Sequence, residues 1–236
     1  MLTQSAISAT RRHLRPVKRA AKALGLWPRD KFDDYLAHCR GIIHIGANEG
    51  QERDKYAAHG LPVVWIEPIP DVCERLIANI AAHPDQRAIQ ALITDKDGKV
   101  STLHVSSNHG ASSSILDLHL HREIWPEVTF TRDVRLKSST LPSALQAAGV
   151  DPAGYDAIVL DIQGAELLAL KGAAPLLQGI HYVQTEAADF EAYKGGATVA
   201  EIAAFMGPHG FRLAGKKTTA GRRGLGFYYE LLFRRP

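Results

Sequence analysis

Cysteine is scarce. The 236 residues hold two, Cys39 and Cys73, far apart and in no C-x-x-C pair. That excludes a disulfide scaffold and a cysteine zinc site, and it suits a reducing compartment. Long apolar runs are missing too: no stretch approaches the ~18 uninterrupted apolar residues of a membrane span. The first residues carry no apolar core of the secretory kind, so the expected location is cytoplasmic, at most peripheral at the inner membrane surface. There is no internal repeat, and no G-x-G-x-x-G loop for a pyrophosphate. Acids are almost absent from residues 1–31, which hold eight Lys/Arg against Asp30, a net +7; the remainder is net −4. The mildly basic whole therefore says little about the substrate of the body.

What is present supports a folded core: 45% of residues are apolar and 22% charged. Residues 1–38 read as a basic helical extension. Ile7, Leu14, Val17, Ala21 and Leu24 line one face of it, and Pro16 interrupts it. It serves either as a structural arm or as a membrane-surface contact through residues 1–31. Residues 39–236 read as one catalytic domain.

From Gly41 the pattern becomes strand–helix alternation. Strands are expected at Ile42–Ile45, Pro62–Glu67 and Ala88–Ile93, with helices running to about His59 and over Asp71–Ala82. Such alternation means βαβ units and a parallel sheet. Residues 95–136 break it. Asp97-Gly98 suggests a hairpin between Leu92–Thr94 and Val100–Val105, and 106–126, rich in Ser, Gly and His, reads as a mobile acceptor-side lid. Alternation resumes with Leu141–Ala148, a buried strand Tyr155–Asp161, an interrupted helix Gly164–Gln178, a strand Ile180–Glu186 and a helix Thr198–Met206. Phe211–Leu213 and Phe227–Phe233, split by a Gly/Lys/Arg-rich turn, are expected to close the sheet as an antiparallel hairpin.

The strand–Gly46-Ala47-Asn48-Glu49-Gly50–helix junction lets backbone come close to a ligand. Glu67 follows Gly46 by 21 residues, where an acid at the tip of the second strand accepts both ribose hydroxyls of an adenosine. With no pyrophosphate loop, S-adenosylmethionine is the adenosine ligand favoured. The cofactor residues expected are Ile45, Gly46, Ala47, Asn48 and Gly50 of the loop, Glu67 and Pro68, Leu92 and Asp161.

These residues resemble the FkbM family of methyltransferases. His44-Ile45-Gly46-Ala47-Asn48-Glu49-Gly50-Gln51 is similar to its first motif and Trp65-Ile66-Glu67-Pro68 to its E-P motif. Ser112-Ser113-Ser114 is similar to its serine cluster, Leu160-Asp161-Ile162-Gln163-Gly164-Ala165-Glu166 to its D-x-E-G-x-E block, and Tyr193-Lys194-Gly195 to a short late motif. The resemblance spans about 41–213 and leaves out the arm. It implies an α/β fold of class I methyltransferase (Rossmann-like) type: a seven-stranded, mostly parallel sheet with helices on both faces. It also implies S-adenosylmethionine-dependent O-methylation, often of a sugar or polyketide hydroxyl. His44 stands where the family usually has Asp, and Gln163 where Glu is common.

Asp161 and Glu186 end neighbouring strands, so both are candidate catalytic groups, with His109 beside the serine cluster as a rival base. Asp161 can equally cap the helix that follows, with Glu166 in its first turn. Ser112, Ser113, Ser114 and Gln163 are the expected acceptor contacts. His119 and His121 fall in a segment that need not be ordered. A divalent metal between the carboxylates is conceivable, but no ligand set is defined and none is assigned. The acceptor expected is a small molecule or glycan, and no nucleic acid. The alternatives are a nucleic-acid methyltransferase using the basic arm, or a non-catalytic adenosine-binding protein. The first lacks [DN]-P-P-[YF], the site reading Leu160-Asp161-Ile162-Gln163.

Overall fold

The computed structural model describes residues 31–236. The expectations for the basic arm therefore fall, but for Lys31, outside the described residues. The larger compact unit, Leu36–Pro236, holds the elements that follow. Its strands are β1 (Ile42–Ile45), β2 (Val63–Ile66), β3 (Gln86–Ile89), β4 (Leu92–Ile93), β5 (Val100–Ser106), β6 (Phe130–Ser139), β7 (Ala157–Leu160), β8 (Tyr182–Ala188), β9 (Arg212–Arg222) and β10 (Gly226–Arg234). Its α-helices are α1 (Arg53–Ala57), α2 (Pro70–Ile80), α3 (Leu141–Ala147), α4 (Glu166–Ala173) and α5 (Val199–Met206).

Seven strands form one sheet in the order β3-β2-β1-β7-β8-β10-β9. All pair in parallel except β10, which runs antiparallel to both neighbours. This is the sheet expected of the class I methyltransferase fold. Every residue of β1, β2 and β7 is buried, as parallel strands covered on both faces must be. Ile43, Ile45, Val64, Ile66, Ile158 and Leu160 share a core with Leu141 and Leu145 of α3, Leu170 of α4, and Ile202 and Met206 of α5. Each such side chain contributes on the order of 1.5–3 kcal/mol. On the alternate positions His44 stacks on Trp65 at 4.9 Å, and Tyr56 of α1 closes on both.

The chain winds outward from β1 to β3, then returns to β7 on the other side of β1. The strand order reverses between β1 and β7, and a crevice opens there at the carboxyl edge, where such sheets bind ligands.

Four expectations need correction. The strand Ala88–Ile93 is two: β3 ends at Ile89, and Leu92–Ile93 leaves to join a second sheet, β4-β6-β5. The hairpin across Asp97-Gly98 does not form, because β6 lies between β4 and β5. The Asp97 carboxylate instead accepts from Thr140 N–H at 2.7 Å and Ser143 Oγ at 2.9 Å, tying the turn to the start of α3. The Gly/Lys/Arg-rich stretch after Leu213 is strand as far as Arg222, since β10 supplies a ladder along its whole length. Finally, 106–126 is not uniformly loose. Leu118 is buried, bridges to Tyr193 and packs with Phe190 and Tyr228. His121 is 2% exposed, its Nδ1 2.7 Å from the Tyr228 hydroxyl. Within 106–126, Gly110, Ala111 and Ser113–Ile115 stand at the rim of the crevice.

Candidate active site

The crevice holds a cavity of about 360 Å³, within the ordinary range for a small-molecule site. The loop after β1 forms one wall. Gly46 has φ +81°, and a Cβ there would lie 2.0 Å from the Asp161 carbonyl oxygen. Its need for glycine thus comes first from the approach of the end of β7. Gly50 does not line the cavity; a Cβ on it would meet Leu76 of α2 at 2.8 Å, so it is a packing glycine.

Asn48, at φ +46°, ties three segments together. Its N–H donates to Glu67 Oε2 at 2.9 Å and its Nδ2 to the His109 carbonyl at 3.2 Å, while its Oδ1 accepts from Glu49 N–H at 2.8 Å. Glu67 projects from the end of β2 and is 4% exposed. Its Oε1 accepts from Ile69 N–H at 2.9 Å. Burial pushes its carboxyl up to about 7, against the two amides, which favour the ionised form. Each oxygen keeps a lone pair for a hydroxyl from the cavity. Beside it, Pro68, Ile69, Leu92 and Leu103 make an apolar wall. Ile45 and Ala47 line the cavity as well.

Asp161, just past the end of β7, and Glu186, on β8, stand at the other end. The Gln163 Nε2 donates to Asp161 Oδ1 at 2.6 Å and to Glu186 Oε2 at 3.4 Å, one amide clamping two carboxylates. Gln163 is itself held by the Tyr193 hydroxyl, which donates to its Oε1 at 2.8 Å. Thr219 Oγ1 donates to Glu186 Oε1 at 3.1 Å. Thr219 is the extra residue of a β-bulge, where the β9–β10 register shifts between Tyr228 and Tyr229; bulges re-aim side chains in this way. Asp161 opens to the cavity but is ringed by protein, and desolvation raises its carboxyl despite the Gln163 bond. Glu186 is pushed up to about 7, by burial first and by the Asp161 charge second. Among the described residues, no group of three or more His, Cys, Asp or Glu is arranged to hold a metal ion.

Asp161 does not cap α4. The helix has no side-chain cap; the Glu166 carboxylate at its first position instead reaches back to the preceding loop, accepting from Ile162 N–H at 3.1 Å and Gly164 N–H at 2.9 Å. Buried, it is pushed up to about 8. The serines divide. Ser113 and Ser114 line the cavity, and Ser114 Oγ donates to the Gln163 carbonyl at 2.8 Å. Ser112 is turned away, its Oγ accepting from Asn108 Nδ2 at 2.9 Å. The ring of His109 is exposed and does not line the cavity; only its carbonyl is used, by Asn48. His44 is buried at the cavity, Nδ1 3.2 Å from the Tyr56 hydroxyl. Burial, with Lys55 nearby, lowers it to about 3, so it is neutral.

Residues not anticipated from the sequence complete the site. Gln184, Thr219 and Glu230 line it from β8, β9 and β10, and Glu52 from ahead of α1. The Gln184 amide donates to Glu230. Glu230 is the lone acid in the apolar run 227–233, which is the signal available for it; the bulge that aims Thr219 has none.

A sequence model of the Methyltransferase FkbM domain matches residues 44–213. The 2-O-methyltransferase NoeI of Sinorhizobium fredii (strain NBRC 101917 / NGR234) is 25% identical over 162 residues, 65% of this chain and 65% of that protein. The match thus spans just under two thirds of the curated relative. Among solved structures, magnesium protoporphyrin IX methyltransferase (ChlM) from Synechocystis PCC 6803 with bound SAH aligns at TM-score 0.50 and 12% identity, covering 100% of this chain and 89% of that one. At that identity the likeness concerns the fold alone.

Proposed function

The chain belongs to the FkbM methyltransferase family, and on that premise we propose that it is an S-adenosylmethionine-dependent O-methyltransferase acting on a hydroxyl of a small molecule or sugar/glycan. The observation that carries the reading is the layout of one sheet edge. An acid with free lone pairs (Glu67) and an apolar slot (Pro68, Ile69, Leu92) stand at one end, the Gly46–Asn48 loop in the middle, and a carboxylate pair at the other. That donor set fits the ligand: a ribose diol for Glu67, a flat base for the slot, and a cationic sulfonium and ammonium toward Asp161 and Glu186.

S-adenosylmethionine supplies the electrophilic methyl. The chain's own residues do the rest. Glu67 and the loop fix the position of the donor, and Ser113 and Ser114 at the rim are placed to meet the acceptor. Alignment of acceptor oxygen and methyl, with water excluded, is the main source of rate. The Asp161–Glu186 pair is placed to take the proton of the hydroxyl, since a carboxyl poised near 7 serves as a general base at neutral pH. An oxygen acceptor agrees with the name of the relative, a 2-O-methyltransferase. No described helix is long and apolar enough to cross a membrane; a membrane-surface role for the arm stays a proposal, to be tested by vesicle binding with and without residues 1–30.

The test is calorimetry with S-adenosylhomocysteine and NAD in parallel, followed by a mass-spectrometric acceptor screen. Binding of the first alone, with methyl gain on a hydroxyl, is the expected outcome. Preference for NAD, or methyl gain on nitrogen only, refutes the assignment.

A further inference from the structure

Glu67 and Glu186 mark the ends of a line. Three strand-to-strand steps, β2 to β1 to β7 to β8, separate them along the carboxyl edge. At ~4.8 Å a step that is roughly 14 Å. A donor with its adenosine at Glu67 therefore presents its charged end to Asp161 and Glu186. These two differ from Glu67 in what holds them. Both accept from the single Nε2 of Gln163, at 2.6 and 3.4 Å, so they are near neighbours without a charged partner between them.

The surroundings sharpen the point. Facing the pair are Glu52 from ahead of α1, Glu166 from α4, Glu230 from β10, and the Tyr193 and Tyr228 hydroxyls. Among the described residues the cation lining this cavity is Lys55 of α1, which lies over the Tyr56 ring; Lys217 of β9 stands outside it, 3.8 Å from the Glu230 carboxylate. Two adjacent carboxylates among further acids cannot both stay ionised cheaply, so one proton is shared. A fixed positive charge brought beside them removes the reason to keep it.

Resting on the S-adenosylmethionine reading, we propose that the Gln163-clamped pair Asp161–Glu186 exchanges a proton for the donor's positive charge. It gives up its shared proton when the cationic donor enters and takes the acceptor's hydroxyl proton when that charge has gone. The step balances. The acceptor oxygen forms the bond to the methyl carbon, and the carbon–sulfur bond breaks with its electrons left on sulfur. The hydroxyl proton passes to the pair. Doubly charged pair plus sulfonium becomes singly charged, proton-sharing pair plus thioether, with no net charge change in the cavity. The pair thus favours the sulfonium donor over its thioether product, and the product is left facing a site with one negative charge fewer.

The test needs no acceptor. Titrate the full chain calorimetrically with S-adenosylmethionine, sinefungin (an ammonium replacing the sulfonium methyl) and S-adenosylhomocysteine, in buffers of different ionisation enthalpy near pH 7. The two ligands charged at that position should release about one proton more than S-adenosylhomocysteine. Protons exchanged at Glu67 are common to all three and cancel. In Glu186→Gln the excess should vanish, because the two-carboxylate pair that shares the proton no longer exists. Thr219→Val removes a hydrogen bond that favours ionised Glu186, so the pH of greatest excess should move up; this variant carries the test if Glu186→Gln fails to fold by circular dichroism. Equal release for all three ligands, an excess surviving in Glu186→Gln, or no shift in Thr219→Val overturns the proposal while leaving the cofactor assignment standing. Failure of the wild type to bind any of the three overturns the cofactor assignment itself.

Discussion

The Glu67 carboxylate accepts from two backbone amides, Asn48 and Ile69, whereas the Glu186 carboxylate is held by two side chains, Gln163 and Thr219. Backbone donors at the end of a buried strand move only if the loop itself moves. Side-chain donors re-aim by rotation, and Gln163 hangs on a further side chain, Tyr193. Both carboxyls are pushed up to about 7 by burial, but for Glu186 the charge of Asp161 is the next cause, whereas for Glu67 the two amides come next and the charge of Asp71 counts for less. The difference suits a division of labour: a rigid end that recognises, and an adjustable end that changes protonation during the reaction. The predictions below attack that contrast from the rigid end toward the adjustable one.

Gly46→Ala should have the largest effect. The added Cβ would sit 2.0 Å from the Asp161 carbonyl oxygen, a backbone atom that no rotamer change relieves, at φ +81°. Overpacking costs ~1–3 kcal/mol and the left-handed conformation about 1–2 kcal/mol more. A loss of several kcal/mol in urea unfolding, with cofactor binding abolished, is expected. Full retention of both would mean that the loop and the end of β7 are not rigidly docked.

Glu67→Ala comes next. It removes the acceptor for two amides as well as for the ribose, and charge-assisted hydrogen bonds are worth about 1.5–3 kcal/mol each before compensation. S-adenosylhomocysteine affinity should fall by roughly thirty- to a hundredfold, or about 2–3 kcal/mol. The pH dependence has a definite sign. The folded carboxyl is raised to about 7, so below that it is largely neutral and a poorer acceptor. Affinity should weaken as pH falls through about 7 and level off above it. Glu67→Gln should give a flat profile near the low-pH level. A wild-type profile that is itself flat would remove the ribose role from Glu67.

Tyr193→Phe probes the adjustable end more gently. The hydroxyl bonds Gln163 Oε1 at 2.8 Å and the Ser112 carbonyl at 3.3 Å, inside a buried cluster. Its loss should cost ~1 kcal/mol, a fall in Tm of about 2–4 °C. Affinity for S-adenosylhomocysteine, set at the Glu67 end, should change less than about twofold. A loss as large as that of Glu67→Ala would show the two ends to be one unit.

The same contrast runs through what the sequence discloses. β1, α1, β2 and α2 are legible because each is a local pattern: a short apolar run, a glycine loop, a helix of ordinary period. Glu67 is found by counting from Gly46. Gly46 itself is legible as a glycine but not for its reason, since the carbonyl it avoids belongs to Asp161, more than a hundred residues later. Thr219 lies in a stretch whose glycines and lysines read as a turn, and becomes strand because β10 pairs with it. His121 is buried by Tyr228, 107 residues away, and no local period announces that contact. Glu166 is legible as a first-turn acid, yet its carboxylate works backward, on the amides of Ile162 and Gly164 ahead of the helix. The recognising end is mostly local sequence; the reacting end is assembled from β7, β8, β9 and β10.

The smallest effect is expected at His109, where sequence and structure part most clearly. As a histidine among serines it reads as a base, but its ring is exposed and lines no part of the cavity, and its residue contributes a carbonyl to Asn48 Nδ2 at 3.2 Å. Alanine keeps that carbonyl. The residue sits at φ +60°, a conformation that histidine tolerates somewhat better than alanine, so a cost of no more than ~0.5–1 kcal/mol in stability is expected. Cofactor affinity should stay within about twofold, and the pH profile of methyl transfer to an acceptor from the screen should keep its shape. Removal of a general base typically slows the reaction by about 10²–10⁴-fold. A fall of that size in His109→Ala, with the acid limb of the profile lost, would mean that the 106–114 segment swings its ring over the cavity when acceptor binds, and would transfer the base from the carboxylate pair to the loop.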